Sequence, residues 1–257
     1  MTYCVGIRTH EGLVLASDSR TNSGIDQVCV CRKMHNFAVP GERMLTILSS
    51  GSLPVTQSVM TRLQHEFQSG NGLAQVPTMY EAARCVGGHV REVAALDREY
   101  LERDNIGFAV NFIVGGQIKG EPPQLYMIYA QGNPLRATRA SPFLQIGESK
   151  YGRPILDRGV RFGETTLDQA VKFALISLDS TMRSNVAVGP PIDLLVYGND
   201  EFAVRRYRRL GADDPDLVEI RGSWERELRR AISQLPKLEF PQPAHPNELF
   251  TGVTAGQ

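Results

Sequence analysis

Residues 1–20 read MTYCVGIRTHEGLVLASDSR, and the organisation of this 257-residue chain is built around them. Two short apolar runs, Tyr3–Ile7 and Leu13–Ala16, flank a glycine-containing turn, and this pattern predicts a β-hairpin. The hairpin would bring Asp18 back beside Thr2. The sequence therefore predicts a carboxylate next to the second residue of the chain.

Thr2 has the chemistry of a nucleophile that carries its own base. A threonine hydroxyl attacks poorly unless a base takes its proton, and removal of Met1 would free the α-amine of Thr2 for that task. Lys33 is the only lysine in the first hundred residues, and it ends a predicted strand that could lie beside the hairpin. Its ammonium would lower the pKa of the amine, and Asp18 would hold it in place. We interpret Thr2, Asp18 and Lys33 as nucleophile, charge anchor and amine-tuning group.

Small residues follow the predicted buried strand Met44–Leu48. They read Ser-Ser-Gly-Ser over 49–52, and a helix is predicted from Leu53 to Phe67. Backbone N–H groups in such a segment can approach a substrate closely. Ser50 and Gly51 are therefore candidate donors to an oxyanion.

Each of these residues also has an ordinary structural explanation. Threonine in second position often does no more than permit removal of Met1. Asp18 could be a turn residue that makes local backbone hydrogen bonds. Lys33 could be an exposed lysine at a strand end. The functional interpretation rests on the order and position of the residues together, because short motifs match by chance.

Beyond residue 52 the predicted order is two long helices, strands, a helix, strands and a helix. Strands grouped apart from helices indicate an α+β layered fold. Gly87 and Gly88 interrupt the second helix, and we interpret them as a site of close helix–helix packing and not as a hinge. No linker divides the chain, so we predict one domain over 1–257, with a C-terminal helical extension from about 212.

Composition excludes several classes of partner. Lys and Arg number 28, Asp and Glu number 28, and the hydrophobic fraction is 42%, which predicts a globular core without a nucleic-acid or membrane partner. The one dense basic run, Arg205–Arg209, is interpreted as a solvated or subunit-facing edge strand. The four cysteines have no metal-site or disulfide spacing, so a reducing cytoplasm is expected.

The order of these features resembles that of proteasome β-type subunits, which are N-terminal nucleophile hydrolases. The shared pattern is an N-terminal threonine, a hairpin, Ala-Ser-Asp-Ser-Arg, Lys33, and Ser-Ser-Gly-Ser before a helix. Segments 17–22, 33–35, 180–185 and 189–197 make the chain similar in particular to the bacterial branch called Anbu, the ancestral β subunit. The resemblance spans nearly the whole chain and implies a four-layer αββα sandwich.

The resemblance also implies roles and partners. Thr2 would be the nucleophile, Asp18 and Lys33 its supports, and Gly51 an oxyanion donor. No metal or cofactor is expected for the chemistry. Identical subunits would assemble into a ring-like or open helical particle that acts on peptide or amide substrates, and any ATPase would be a separate chain.

Two further positions stay open. The family places a serine and an aspartate near its threonine. Ser149 matches the serine unless Glu148 occupies that place, because Glu148 shifts the register. Asp179 or Ser184 could match the later position, and the alignment leaves both choices open.

The preferred hypothesis is a self-assembling threonine peptidase or amidohydrolase that acts through an acyl-enzyme on Thr2. The alternative is a catalytically silent assembly scaffold with the same fold, because a fold does not determine an activity. A third hypothesis, an amidohydrolase of small molecules, shares the nucleophile and differs in its pocket. If Met1 stays attached, the nitrogen of Thr2 is an amide and the proposed base is missing.

Overall fold

The computed structural model describes residues 1–23 and 27–240. The chain divides into two compact units, Met1–Arg221 and Gly222–Gln257. The described part of the second unit holds the end of a helix and a short segment without regular structure. The single domain with an extension from about 212 stays a prediction, and the part of that extension beyond residue 240 lies outside the described residues.

The described residues form twelve strands and five α-helices. The strands are β1 (Tyr3–Arg8), β2 (Gly12–Ser17), β3 (Arg20–Ser23), β4 (Gln27–Val30), β5 (Met34–Val39), β6 (Arg43–Gly51), β7 (Val110–Ile118), β8 (Gln124–Ile128), β9 (Pro134–Arg136), β10 (Phe143–Gly147), β11 (Ile192–Gly198) and β12 (Arg206–Leu210). The helices are α1 (Leu53–Gln68), α2 (Met79–Arg103), α3 (Arg153–Gly159), α4 (Leu167–Ser184) and α5 (Pro215–Ser233).

Two five-stranded antiparallel sheets form the centre of the first unit. Their strand orders are β10-β1-β2-β11-β12 and β5-β6-β7-β8-β9. Apolar side chains from both sheets, such as Leu15, Leu48 and Ile113, form one buried cluster between them. Helices α1 and α2 pack on the outer face of the second sheet, and α3 and α4 pack on the outer face of the first. The predicted four-layer αββα sandwich is confirmed.

The N-terminal hairpin is confirmed and lies inside the first sheet. Cys4 pairs with Ser17 in the β1–β2 register, and every residue from Tyr3 to Ile7 is buried. Alternate side chains face the helices on one side and the other sheet on the other, which explains the almost continuous apolar run. The N–H of Asp18 donates to the carbonyl of Tyr3 at 3.1 Å, so the hairpin returns Asp18 to the start of the chain.

Helices α2 and α4 each begin with a threonine cap. Thr166 and Gln169 form a complete reciprocal capping box. At α2 the Thr78 hydroxyl accepts from the Glu81 N–H at 3.2 Å. The Glu81 carboxylate accepts from that hydroxyl, so this box is incomplete.

A long turn separates β11 from β12, which begins at Arg206. Asp200 and Phe202 have positive φ values of 61° and 42°, which extend the preceding turn. The Phe202 N–H donates to the Tyr197 hydroxyl at 3.2 Å and holds this longer turn in place.

All of the basic run except Arg205 lies on β12, an edge strand as expected. Three of the run's four arginines, Arg206, Arg208 and Arg209, are paired with carboxylates. Arg208 binds Asp214 at 3.1 Å, and Arg209 binds the buried Asp193 at 2.7 Å. Local ion pairs therefore account for most of the run. No helix among the described residues is long and apolar enough to cross a membrane.

The paired glycines of α2 correct one expectation. The helix continues through both residues, and Gly87 packs against a turn between two strands, not against another helix. A Cβ atom on Gly87 would lie 2.0 Å from the carbonyl oxygen of Gly132. A Cβ atom on Gly88 would meet nothing within 4 Å. Only the first glycine is required by packing.

The two glycines give a matched pair of variants. We expect Gly87→Ala to lower the free energy of unfolding by about 1–3 kcal/mol, because the methyl group pushes the helix off the Gly132 turn. Gly88→Ala should raise it by up to about 1 kcal/mol, because alanine favours the helix. Urea unfolding of both variants measures the difference, and equal effects would contradict the packing role of Gly87.

Candidate active site

Thr2 is held by its backbone at the start of β1. Its carbonyl accepts from the Glu148 N–H at 2.7 Å. Gly147 has φ 86°, and a Cβ atom there would lie 2.0 Å from the Thr2 carbonyl oxygen. Only glycine fits at this close approach. The next residue, Tyr3, is fully buried and its hydroxyl bonds Ser177, so the N-terminal segment is firmly anchored.

Asp18 is fully buried and bonded to the peptide that follows Thr2. Its carboxylate accepts from the Tyr3 N–H at 3.1 Å and from the Gly189 N–H at 3.2 Å. It also accepts from Lys33 Nζ at 2.7 Å. Burial raises the pKa of the Asp18 carboxyl above its ordinary value, and the Lys33 ammonium and the two N–H donors oppose that rise.

Lys33 is buried beside Asp18 and faces the same site. Its ammonium donates to the carboxylate and, at 2.6 Å, to the carbonyl of Arg20. An ammonium has three donors, and the described contacts use two of them. The third can reach a group in the cavity that Lys33 lines. The structure therefore brings the predicted Asp18–Lys33 pair together beside the N-terminus.

A cavity of about 1080 Å³ opens next to these groups. Thr2, Lys33 and Gly51 all line it, as does the exposed Met1. Gly51 has φ 110°, and a Cβ atom there would lie 2.0 Å from the Ala109 carbonyl oxygen. The backbone at Gly51 thus faces the cavity in a conformation that favours glycine.

Glu148 and Ser149 have different surroundings. Glu148 is buried, its N–H bonds Thr2, and its carboxylate accepts from Asn185 Nδ2 at 3.2 Å. The carbonyl of Ser149 accepts from the Arg153 N–H at 3.0 Å, at the start of α3. Of these two residues, Glu148 is therefore the one that bonds Thr2, through its backbone N–H.

Asp179 and Ser184 lie on α4. Asp179 is buried and pairs with Arg221 and, at 3.0 Å, with Arg183. Ser184 is exposed at the end of the helix. Among the contacts of the described residues, neither side chain bonds Thr2. The residue that reaches the site is Asn185, which directly follows α4 and donates to Glu148.

Sequence reasoning missed three groups that support the site. They are the Asn185 amide, the Gly189 N–H and the Arg20 carbonyl. The last two are backbone groups, which every residue offers, so their residue types carry no signal. Asn185 falls within a segment that resembles proteasome β-type subunits, and this could have marked it as a candidate.

The family model described as proteasome subunit matches residues 2–197. The chain belongs to the proteasome subunit family. Anbu from Yersinia bercovieri is 45% identical with a TM-score of 0.87, and the match covers 93% of this chain and 100% of that one. A structure titled helical assembly of the Anbu complex from Pseudomonas aeruginosa is 46% identical with a TM-score of 0.87, covering 92% and 98%. An Anbu (Gly-1) mutant from Hyphomicrobium sp. strain MC1 is 43% identical with a TM-score of 0.87, covering 93% and 100%.

These similarities confirm the resemblance to Anbu and the N-terminal nucleophile type of proteasome-family fold. None of the curated proteins compared with the chain matches it. In this proteasome-family chain, the buried Asp18 carboxylate bonds three separate parts of the chain. They are the N-terminal segment at Tyr3, Lys33, and the loop at Gly189.

The buried pair makes a pH-dependent prediction. At about pH 7, Lys33→Met should lower the free energy of unfolding by about 3–5 kcal/mol, because Asp18 is left as a buried carboxylate without a cation. Without the ammonium, the pKa of Asp18 in the folded variant rises further above its value in the unfolded chain. As the pH falls, the folded variant therefore takes up a proton before the unfolded chain does, and this uptake stabilises the folded variant. The stability difference from the natural protein should therefore narrow as the pH falls towards about 5.

Urea unfolding across this pH range measures the difference. The control is Lys119→Met, at an exposed lysine, which should change stability by less than about 0.5 kcal/mol at each pH. A difference for Lys33→Met that stays constant over the whole range would contradict the proposed origin of the effect.

Proposed function

We propose that this chain is a self-assembling N-terminal threonine peptidase or amidohydrolase, with Thr2 as nucleophile after removal of Met1. One observation carries the proposal. The Asp18–Lys33 pair is buried, Asp18 accepts from the Tyr3 N–H directly after Thr2, and Lys33 lines the same cavity as Thr2. Burying two charges beside a chain terminus costs free energy, and we infer that this pair serves the chemistry of Thr2.

The chemistry follows from these positions. The freed α-amine takes the proton of the Thr2 hydroxyl as its oxygen attacks the substrate carbonyl carbon. The Lys33 ammonium keeps the amine neutral by lowering its pKa. The Gly51 N–H donates to the oxyanion that forms. The amine then protonates the departing nitrogen, the C–N bond breaks, and water hydrolyses the ester on Thr2.

The cavity supports a peptide substrate over a small amide. Its volume of about 1080 Å³ is at or above the upper end of the range, about 300–1,000 Å³, that small-molecule pockets occupy. Residues of α1 such as Leu53, Gln57 and Met60 line one side and offer both apolar and hydrogen-bonding contacts.

Assembly and location are part of the same proposal. The Pseudomonas aeruginosa relative is described as a helical assembly, and 46% identity supports a comparable assembly of identical subunits here. An ATPase partner would be a separate chain, and the cytoplasm is the proposed location.

The test combines measurement of the intact mass of the purified protein with covalent labelling of its nucleophile. A peptide epoxyketone reacts with a hydroxyl and a free amine on one residue, so it reports nucleophile and base together. We expect purified protein to lack the mass of one methionine and to gain one adduct. Thr2→Ser should keep the adduct, and Thr2→Ala should lose it while assembly by size-exclusion chromatography is unchanged. An undiminished adduct on Thr2→Ala would refute the assignment.

A catalytically silent scaffold is the second candidate. It is favoured by the contacts of Asp179, whose carboxylate is occupied by Arg183 and Arg221. Full retention of Met1 together with no adduct on the natural protein would support the scaffold and contradict the peptidase.

A further pair of variants separates Glu148 from Ser149. We expect Glu148→Ala to slow adduct formation about tenfold, equivalent to about 1.4 kcal/mol, because it loosens the loop that bonds the Thr2 carbonyl. Ser149→Ala should stay within about twofold of the natural rate. Labelling rates followed by mass spectrometry measure both, and the reverse order would assign the supporting role to Ser149.

A further inference from the structure

Three side chains that bind transition metals meet between α1 and α2. Glu66 comes from α1, and Cys85 and His89 come from α2. One ligand atom from each lies within 4.8 Å of the other two, and this is the one such group found among the described residues. Glu66 Oε2 lies 2.7 Å from His89 Nε2 and 3.8 Å from Cys85 Sγ.

Local structure holds these groups in place. Cys85 and His89 are four residues apart on α2, so they share one face of the helix. The Glu66 carboxylate lies against Gly72, where a Cβ atom would be 2.2 Å from Glu66 Oε2. Gly72 also has φ 54°, which favours glycine. The space that the carboxylate occupies therefore depends on a residue without a side chain.

The imidazole already has the outer partner that a metal-bound histidine needs. His89 Nδ1 lies 3.2 Å from Glu92 Oε2, and Arg62 Nη2 donates to that oxygen at 2.6 Å. Metal-bound histidines usually donate their second ring N–H to a carboxylate, which fixes the tautomer and raises ligand basicity. Nε2 is directed at Glu66, and a bound metal ion would replace the proton that His89 and Glu66 share in this hydrogen bond.

We propose that Glu66, Cys85 and His89 bind one divalent transition-metal ion of the zinc class. Thiolate, imidazole and carboxylate together favour Zn²⁺ or Co²⁺ over Mg²⁺ or Ca²⁺. With metal–ligand distances of about 2.0–2.3 Å, the Glu66 and His89 atoms need to separate by only about half an ångström. The fourth position of the tetrahedron is open to water, because the side chains of Glu66 and His89 are 36% and 12% exposed.

An ordinary ion pair between the helices explains less of this cluster. It would need Glu66 and His89 alone. Apolar packing against the core cluster accounts for Cys85, but neither explanation gives a reason for a second carboxylate with its own arginine behind the imidazole. A metal site uses every one of these groups.

The ion would join α1 to α2 and stabilise the outer helical layer. Because α1 also lines the candidate active-site cavity through Gln57, Met60 and Gln64, bound metal would stiffen one wall of that cavity. The proposed site contains no residue assigned to the Thr2 chemistry, so its test is independent of peptidase activity.

The test uses Co²⁺ as a spectroscopic substitute in protein freed of metal by a chelator. We expect one Co²⁺ per chain, with visible absorption of a tetrahedral ion and a thiolate charge-transfer band. Cys85→Ser and Cys85→Ala should both lose that band. Glu66→Gln and His89→Gln should weaken binding at least about tenfold, and Glu92→Gln about 10–100-fold through the imidazole.

Two matched controls test the location. Cys29→Ser removes an exposed thiol elsewhere, and His65→Gln removes an exposed imidazole beside Glu66 on α1. Both should keep the stoichiometry and affinity of the natural protein. Added Zn²⁺ should raise the melting temperature of the natural protein and of both controls, but not that of Cys85→Ser.

Three results would overturn the proposal. They are no saturable Co²⁺ binding to the natural protein, a thiolate band that survives Cys85→Ser, and equal losses in the controls and the ligand variants. Circular dichroism of each metal-free variant separates loss of the site from loss of the fold, and Cys85→Ala provides the answer if Cys85→Ser does not fold.

Discussion

The buried contact between the Asp18 carboxylate and the Lys33 ammonium is the constraint on which the rest of this structure depends. Removing two charges from water costs several kcal/mol for each ion, and their attraction offsets that cost only when the remaining hydrogen bonds are made. Here they are made by the Tyr3 N–H, the Gly189 N–H and the Arg20 carbonyl. The pair therefore joins the N-terminal hairpin, the strand that begins after Lys33, and the loop before β11.

The four-layer architecture makes this burial possible. Both faces of β1 and β2 are covered, one by helices and the other by the second sheet, so the end of the hairpin lies in a region that excludes water. Glycines then permit two close approaches at the cavity. Gly147 lets the chain pass against the Thr2 carbonyl, and Gly51 lets β6 turn into α1 against the Ala109 carbonyl.

Helix α1 takes part in two separate sites. One of its faces lines the cavity beside Thr2, and its last turn carries Glu66 towards Cys85 and His89 on α2. A helix held by the sheet beneath it and by its neighbour can keep both sets of side chains in position. The same packing explains why α2 tolerates Gly87, because the Gly132 turn fills the space that a side chain would take.

The sequence by itself determined the hairpin, the long helices, the layered fold class and the pairing of Asp18 with Lys33 near Thr2. The first three follow from periodicity and turn residues that lie close together in the chain. The pairing follows from the hairpin and from Lys33, the only lysine among the first hundred residues. The tertiary structure alone decided that Asn185 reaches Glu148, that Gly189 and Arg20 bond the charge pair, and that Gly87 meets Gly132. It also decided that Glu66 meets Cys85 and His89. Such contacts depend on how distant elements pack, so no local sequence pattern predicts them. A backbone N–H or carbonyl also has the same chemistry at almost every residue, so the residue type does not identify it.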